Sequence, residues 1–197
     1  MREIYLLRHG DTHATENGYY AGWMDVPLSE GGRRRVEKSR EFLPRNGFQK
    51  VFVSPLRRTL ETARIVVPDM PMEIREELRE RSFGSWEGKG WKEIEAGFPE
   101  EMVEWRKDPL RFTPPGGESF QVVLERVVAF WEKLRQEPEG SYLLVTHGGV
   151  IRSLLVHLLR MDFASTFHVL LDPGVVVRIR EEQGFTQLVS IMNIEGA

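Results

Sequence analysis

Three short apolar runs in this 197-residue chain each end in residues suited to an anion. Leu6-Leu7 is followed by Arg8-His9-Gly10. Val51-Phe52-Val53 is followed by Ser54, with Arg57 and Arg58 close behind. Leu143-Leu144-Val145 is followed by Thr146-His147-Gly148-Gly149. Arginine brings a permanent charge and a planar fork of donors that matches a phosphate. A neutral histidine offers a ring nitrogen that can attack phosphorus near pH 7. Gly10 lets the backbone pass close to a ligand. Any one of these endings alone reads equally well as a polar cap on a buried strand. Two histidines and two arginines behind three such runs converge on a phosphate site.

Convergence requires the runs to lie side by side. Residues 4–7, 51–53 and 142–145 read as strands buried on both faces. In a parallel sheet their ends share one edge, where open α/β folds bind ligands. Ser54 and Pro55 have the types of an N-cap and a first-turn proline, opening a helix to about residue 67. A second helix follows Gly148 and runs to about residue 160. Both helices aim N-terminal amides at the same edge. Ser29-Glu30 starts a helix to about residue 43, with Arg33, Arg34 and Arg35 as its solvated face. Val123, Val127, Phe130 and Leu134 form the apolar stripe of a helix over 118–135. Further strands are expected at 72–74, 175–179 and 188–192. The alternation predicts a three-layer α/β/α sandwich with a mainly parallel sheet, one domain over residues 1–197. Residues 78–115, rich in glycine, proline and charge, break the alternation. They read as a small helical insertion over the active edge, with Trp91, Phe98, Met102 and Trp105 as its docking core or, alternatively, as the lining of a substrate pocket.

Composition narrows the class. Apolar residues make up 41% and charged residues 29%, as in an ordinary globular domain. A net charge of −3 gives no reason to expect nucleic acid. The chain lacks cysteine, which excludes disulfides and thiolate chemistry and is compatible with a cytoplasmic home. Met1-Arg2-Glu3 runs directly into a strand, so no signal peptide is expected. The apolar stretch 150–159 holds Arg152 and His157 and is too short for a bilayer span. The carboxylates are scattered and neither site histidine sits in a ligand-spaced motif, so no metal and no cofactor is expected. The expected partner is a small phosphorylated metabolite, and the expected state a monomer or homodimer.

Six ordered motifs carry a family resemblance over nearly the whole chain. Arg8-His9-Gly10-Asp11-Thr12 resembles the Arg-His-Gly-Glu-Thr signature of the histidine phosphatase superfamily, in its phosphoglycerate mutase-like branch. Gly22-Trp23-Met24-Asp25-Val26-Pro27-Leu28-Ser29 is similar to the branch's Gly-Trp-x-Asp-x-Pro-Leu-Thr. The stretch from Ser54 to Ala63 resembles its Ser-x-Leu-x-Arg-Ala-x-Gln-Thr-Ala. The stretch from Leu78 to Gly88 resembles its acid-bearing loop. Gly116-Gly117-Glu118-Ser119 and Val145-Thr146-His147-Gly148-Gly149 complete the set.

The resemblance implies His9 as the nucleophile, Arg8, Arg58 and His147 as holders of the phosphate oxygens, and Glu80 as the proton donor. It implies substrate contacts at Thr15, Ala21, Gly22 and Gly148. Arg57 and Glu87 are the neighbouring rivals for the arginine and acid roles. Three departures stand out: Thr15 replaces the usual asparagine, Asp11 replaces glutamate, and Thr59 and Glu61 replace alanine and glutamine. His13 is expected in solvent and His157 in a structural role, while His168 could orient the site from a neighbouring strand. Glu118 and Ser119 are expected to cap the following helix. Three activities fit: a phosphatase, a cofactor-dependent phosphoglycerate mutase, or a phosphate-binding regulatory module. The compact insertion carries Glu87, Glu93, Glu95, Glu100, Glu101 and Glu104, which disfavours a doubly phosphorylated cofactor. The pattern is most similar to α-ribazole phosphatases of cobalamin biosynthesis.

Overall fold

The computed structural model describes residues 1–194. Six strands form one sheet in the order β3-β2-β4-β1-β5-β6. They are β1 (Arg2–Arg8), β2 (Lys50–Val53), β3 (Met72–Ile74), β4 (Gly140–Thr146), β5 (Val176–Glu182) and β6 (Phe185–Met192). The first four run parallel, while β5 and β6 add an antiparallel edge beside β1. Seven α-helices complete the described residues: α1 (His13–Glu16), α2 (Glu30–Ser39), α3 (Arg57–Val66), α4 (Trp91–Gly97), α5 (Pro99–Lys107), α6 (Phe120–Leu134) and α7 (Gly148–Leu159).

Strand alternation sorts the core into two layers. Ile4, Leu6, Tyr142 and Leu144 face α6 and α7, where Val123, Val127, Ile151 and Leu154 meet them. Tyr5, Leu7, Leu143 and Val145 face α2 and α3, where Val36, Ala63 and Val66 close the other side. The result is the three-layer sandwich expected from the alternation of helices and strands. A third, smaller cluster of Trp86, Ile94 and Met102 docks α4 and α5, with Phe98, Trp105 and Phe112 packed around it.

The structure adds to the local expectations in four places. The loop after β1 contains the short helix α1, whose capping box joins Thr12 and Thr15. Helix α3 begins at Arg57, and Ser54 does not cap it, because its hydroxyl is bonded elsewhere. Asp25 supplies the missing acceptor from a distant loop, taking the Arg57 N–H at 2.7 Å. Arg35 is not part of a solvated face. Its Nε lies 2.7 Å from Asp11 Oδ2, because α2 packs that turn against the end of β1. Finally, packing also requires Gly10: a Cβ there would lie 2.4 Å from the Gly32 carbonyl oxygen of α2.

Candidate active site

The parallel register of β1, β2 and β4 brings their C-terminal ends together. His9 N donates to Thr146 O at 3.0 Å, and Ser54 N donates to Val145 O at 3.0 Å, so the ladder itself aligns the three endings. Around this edge lies a cavity of about 320 Å³. Arg8, His9, Arg58 and Glu80 line it, as do Thr15, Ala21, Gly22 and Gly148. His147 is fully buried beside His9, with ring centroids 5.2 Å apart.

His9 is held in one tautomer. Its Nδ1 lies 2.7 Å from Gly10 O, and a carbonyl only accepts, so Nδ1 carries the proton. The lone pair of Nε2 is thereby left to accept, and Arg58 Nε donates to it at 3.2 Å. Burial pushes the His9 pKa well below 6.5, and the charges of Arg58 and Arg8 push it the same way. The ring is therefore neutral at pH 7. His147 is held neutral by the same causes, burial first. Its Nε2 shares a 2.7 Å hydrogen bond with Ser54 Oγ, while its buried Nδ1 has no partner among the described residues.

The arginines are anchored through some donors and free through others. Arg58 donates Nη1 to Met24 O at 2.9 Å and Nη2 to Gly22 O at 2.8 Å. Burial lowers its pKa to about 10, which leaves it cationic at neutral pH. Arg8 donates Nη1 to Leu171 O, and its buried Nε has no partner among the described residues. The rival Arg57 points away: its side chain is 55% exposed and pairs with Glu61 at 2.7 Å.

Glu80 reaches the N-terminus of α7. Its Oε2 accepts from Gly149 N at 3.2 Å and its Oε1 from Arg81 N at 2.9 Å. Any side chain at residue 149 would displace it, since a Cβ there falls 2.2 Å from Glu80 Oε1. Glu87 occupies a different place. Its Oε1 accepts from Trp23 N at 2.8 Å and Phe83 N at 3.1 Å, tying the residue 22–24 loop to the insertion. Trp23 Nε1 completes that tie by donating to Glu80 O at 2.7 Å. Glu118 does not cap α6, whose N-cap is Ser119 alone. The Glu118 carboxylate accepts instead from Ser82 N at 2.9 Å and pairs with Arg126 at 3.3 Å, bracing the acid-bearing loop.

The remaining histidines stay outside. His13 is exposed, His157 lies 3.8 Å from Glu132 on the helical face, and His168 ends an exposed 3₁₀ turn rather than a strand. Sequence reasoning missed Tyr20, Arg81, Phe120, Arg152, Phe163 and Phe167, which also line the cavity. Their only local signal is aromatic or basic type, in irregular segments for Tyr20, Arg81, Phe163 and Phe167 and in helices for Phe120 and Arg152. Trp91 and Trp105 both pack the insertion and face the cavity, in edge-to-face contact at 5.1 Å. Among the described residues no cluster of His, Cys, Asp or Glu is arranged to hold a metal ion, and no helix is long and apolar enough to cross a membrane.

Comparison with known proteins agrees with this geometry. The adenosylcobalamin/alpha-ribazole phosphatase of Salmonella typhimurium is 33% identical over 188 residues, covering 94% of this chain and 93% of the relative. The crystal structure of the alpha-ribazole phosphatase from Shigella flexneri superposes with a TM-score of 0.87 at 31% identity, covering 97% of this chain and 96% of that one. A 2,3-bisphosphoglycerate-dependent phosphoglycerate mutase from Gloeobacter violaceus is 35% identical over 167 residues, covering 80% and 76%. The model of the histidine phosphatase superfamily (branch 1) matches residues 4–194, and this chain belongs to that family.

Proposed function

We propose that this phosphatase hydrolyses a small phosphate monoester whose leaving alcohol carries a flat aromatic group, α-ribazole 5'-phosphate being the candidate, through a phosphohistidine at His9. The observation that carries the reading is the fixed His9 tautomer: an unprotonated Nε2 that accepts from the Arg58 guanidinium, beside a cavity that Arg8 also lines and that is wide enough for a metabolite.

The dianion of a phosphate monoester repels a nucleophile. The free donors of Arg8 and Arg58 neutralise that charge and fix phosphorus for in-line attack. With the Ser54 hydroxyl donating to His147 Nε2, His147 Nδ1 carries a proton that a phosphate oxygen can accept. Nε2 of His9 then forms the P–N bond as the ester P–O bond breaks, and Glu80 gives its proton to the departing alkoxide. In the second half, the Glu80 carboxylate takes a proton from water, the water oxygen attacks phosphorus, and the P–N bond breaks to return neutral His9. Splitting one displacement into two in this way is the gain of nucleophilic catalysis.

The aromatic lining favours an apolar leaving group over a second anion. Tyr20, Phe83, Trp91 and Trp105 face the same cavity as the phosphate cradle. The other two guanidiniums there are committed to backbone carbonyls, Arg81 to Glu118 and Phe112 and Arg152 to Thr166 and Val169. Within α4 and α5, Arg106 and Lys107 pair with Glu95 and Glu104. Little basic charge is left for a mutase cofactor or for a bisphosphorylated acid. A cysteine-free chain of modest negative charge suits a cytoplasmic metabolic enzyme.

The test is turnover of a panel of phosphate monoesters, with chelator and with or without 2,3-bisphosphoglycerate. Release of inorganic phosphate, unaffected by either addition, is expected, with α-ribazole 5'-phosphate among the best esters. Phosphoryl transfer between hydroxyls that depends on the bisphosphate would establish the mutase reading instead.

A further inference from the structure

Residues 163–172 run from α7 towards β5 without joining the sheet, and they place Phe163 and Phe167 on the cavity. Side chains from elsewhere, rather than a strand partner, hold four of their carbonyls. Arg152 Nη1 donates to Thr166 O and, at 3.3 Å, to Val169 O. Asn193 Nδ2 donates to Leu170 O at 3.1 Å, and Arg8 Nη1 donates to Leu171 O. Buried backbone acceptors need such partners, so these three side chains fix where the segment runs. What it presents to the cavity is aromatic. Phe163 packs on Phe120 with ring centroids 4.2 Å apart, and Phe167 meets Phe163 edge-on at 5.2 Å. The Arg152 guanidinium lies 4.9 Å from the Phe167 ring. Phe167 nevertheless remains 59% exposed, although it lines the cavity that holds the phosphate cradle.

We infer that this strap is the specificity element of the enzyme. Phe163 and Phe167 form an aromatic clamp for the ester's leaving group, and Arg152 is the positioning residue that sets the clamp. The inference rests on the phosphatase reading above. Its physical basis is continuity. A phosphate held by Arg8 and Arg58 projects its ester oxygen into the same cavity, and Arg8 itself grips the strap at Leu171. An aromatic leaving group would cover the free face of Phe167 and gain an offset or edge-on ring contact. A short aliphatic group would gain neither. Arg152 stands on α7 five residues beyond its N-cap His147, so one helix and its cap carry both a phosphate-side residue and the anchor of the clamp.

Two esters of unactivated alcohols separate recognition from leaving-group chemistry: 2-phenylethyl phosphate and ethyl phosphate. The quantity to measure is the ratio of their kcat/KM values. The wild type should favour the phenylethyl ester. Phe167→Ala should lower that ratio roughly three- to tenfold, and Phe167→Tyr should keep it. Arg152→Gln should lower the ratio in the same direction, chiefly through KM for the phenylethyl ester, although its own side chain is not the aromatic surface. Should Arg152→Gln fail to fold, the Phe167 pair decides alone, since so exposed a ring is not needed for folding. A ratio unchanged in Phe167→Ala, or equal losses on both esters, overturns the clamp while leaving the phosphatase reading intact. Hydrolysis of α-ribazole 5'-phosphate but of neither model ester by the wild type overturns the clamp alone; hydrolysis of none of the three overturns the phosphatase reading, and the clamp with it.

Discussion

The two walls of the cavity are built in opposite ways. On the sheet side, Arg8, His9, Ser54 and His147 sit at the ends of buried parallel strands, and the backbone ladder sets their positions before any side chain is considered. On the insertion and strap side, irregular segments carry Tyr20, Phe83, Phe163 and Phe167. Long-range contacts from side chains such as Glu87, Arg126 and Arg152 to the backbone hold those segments. The first wall is polar, charged and rigid, as phosphoryl transfer demands of pre-placed electrostatics. The second is apolar and irregular, so its shape can change without disturbing the sheet. One molecule thus separates chemistry from selection, with Glu80 at the seam: its loop belongs to the second wall, and its carboxylate docks on the α7 N-terminus of the first.

Substitutions on the two walls should therefore fail differently. His9→Ala should be the most severe, losing on the order of 10³-fold or more in kcat on every ester, as expected when a nucleophile is deleted. A loss confined to some esters would place His9 in recognition and break the division. Glu80→Gln comes next. General acid catalysis is worth about 10²–10⁴-fold, so hydrolysis of an alkyl ester should fall by that order. The initial burst from p-nitrophenyl phosphate, whose leaving group needs no proton, should fall much less. Equal losses would move the acid role to another group. Glu87→Ala should cost about ten- to a hundredfold by loosening the 22–24 loop that seats Arg58. Glu87→Gln retains an acceptor oxygen for Trp23 N and should recover most of the activity. Failure of that rescue would show that the charge of Glu87, and not its placement of the loop, is what matters.

The smallest effect concerns stability rather than rate. His9 and His147 have folded pKa values depressed below 6.5 by burial. Below that pH the unfolded chain takes up protons that the folded chain refuses, so stability falls as pH drops through 6.5 and downwards. Urea midpoints measured between pH 7.5 and 5.5 should decline, and the decline should be shallower in His147→Gln. A decline of identical slope in that variant would mean that His147 titrates freely in the folded protein.

The same division explains what could be read from the sequence. The strand endings were legible because a short apolar run followed by arginine or histidine is a local signal, and parallel strands put such endings on one edge. The motif spacing also pointed to Arg58 rather than Arg57, and the structure turns Arg57 outward onto Glu61. Contacts that cross the chain left no such trace. Nothing near Ser54 says that its hydroxyl belongs to His147, 93 residues later, nor that Asp25 caps α3 in its place. Arg35 sits in a run of three arginines that reads as a wet helical face, yet it alone turns inward to Asp11. The strap was invisible for the same reason: carbonyls held by Arg152, Asn193 and Arg8 have no period and no signature.

The central claim is that His9 carries the phosphoryl group between the two halves of the reaction, and rapid quench into alkaline detergent tests it most directly. The enzyme is mixed with ³²P-labelled p-nitrophenyl phosphate, quenched within the first turnover and digested for peptide mapping. The account predicts a burst of nitrophenol matched by acid-labile, alkali-stable phosphate on the peptide containing His9, both absent in His9→Ala. Linear nitrophenol release from the first turnover, with no phosphate on that peptide while inorganic phosphate accumulates, would contradict it.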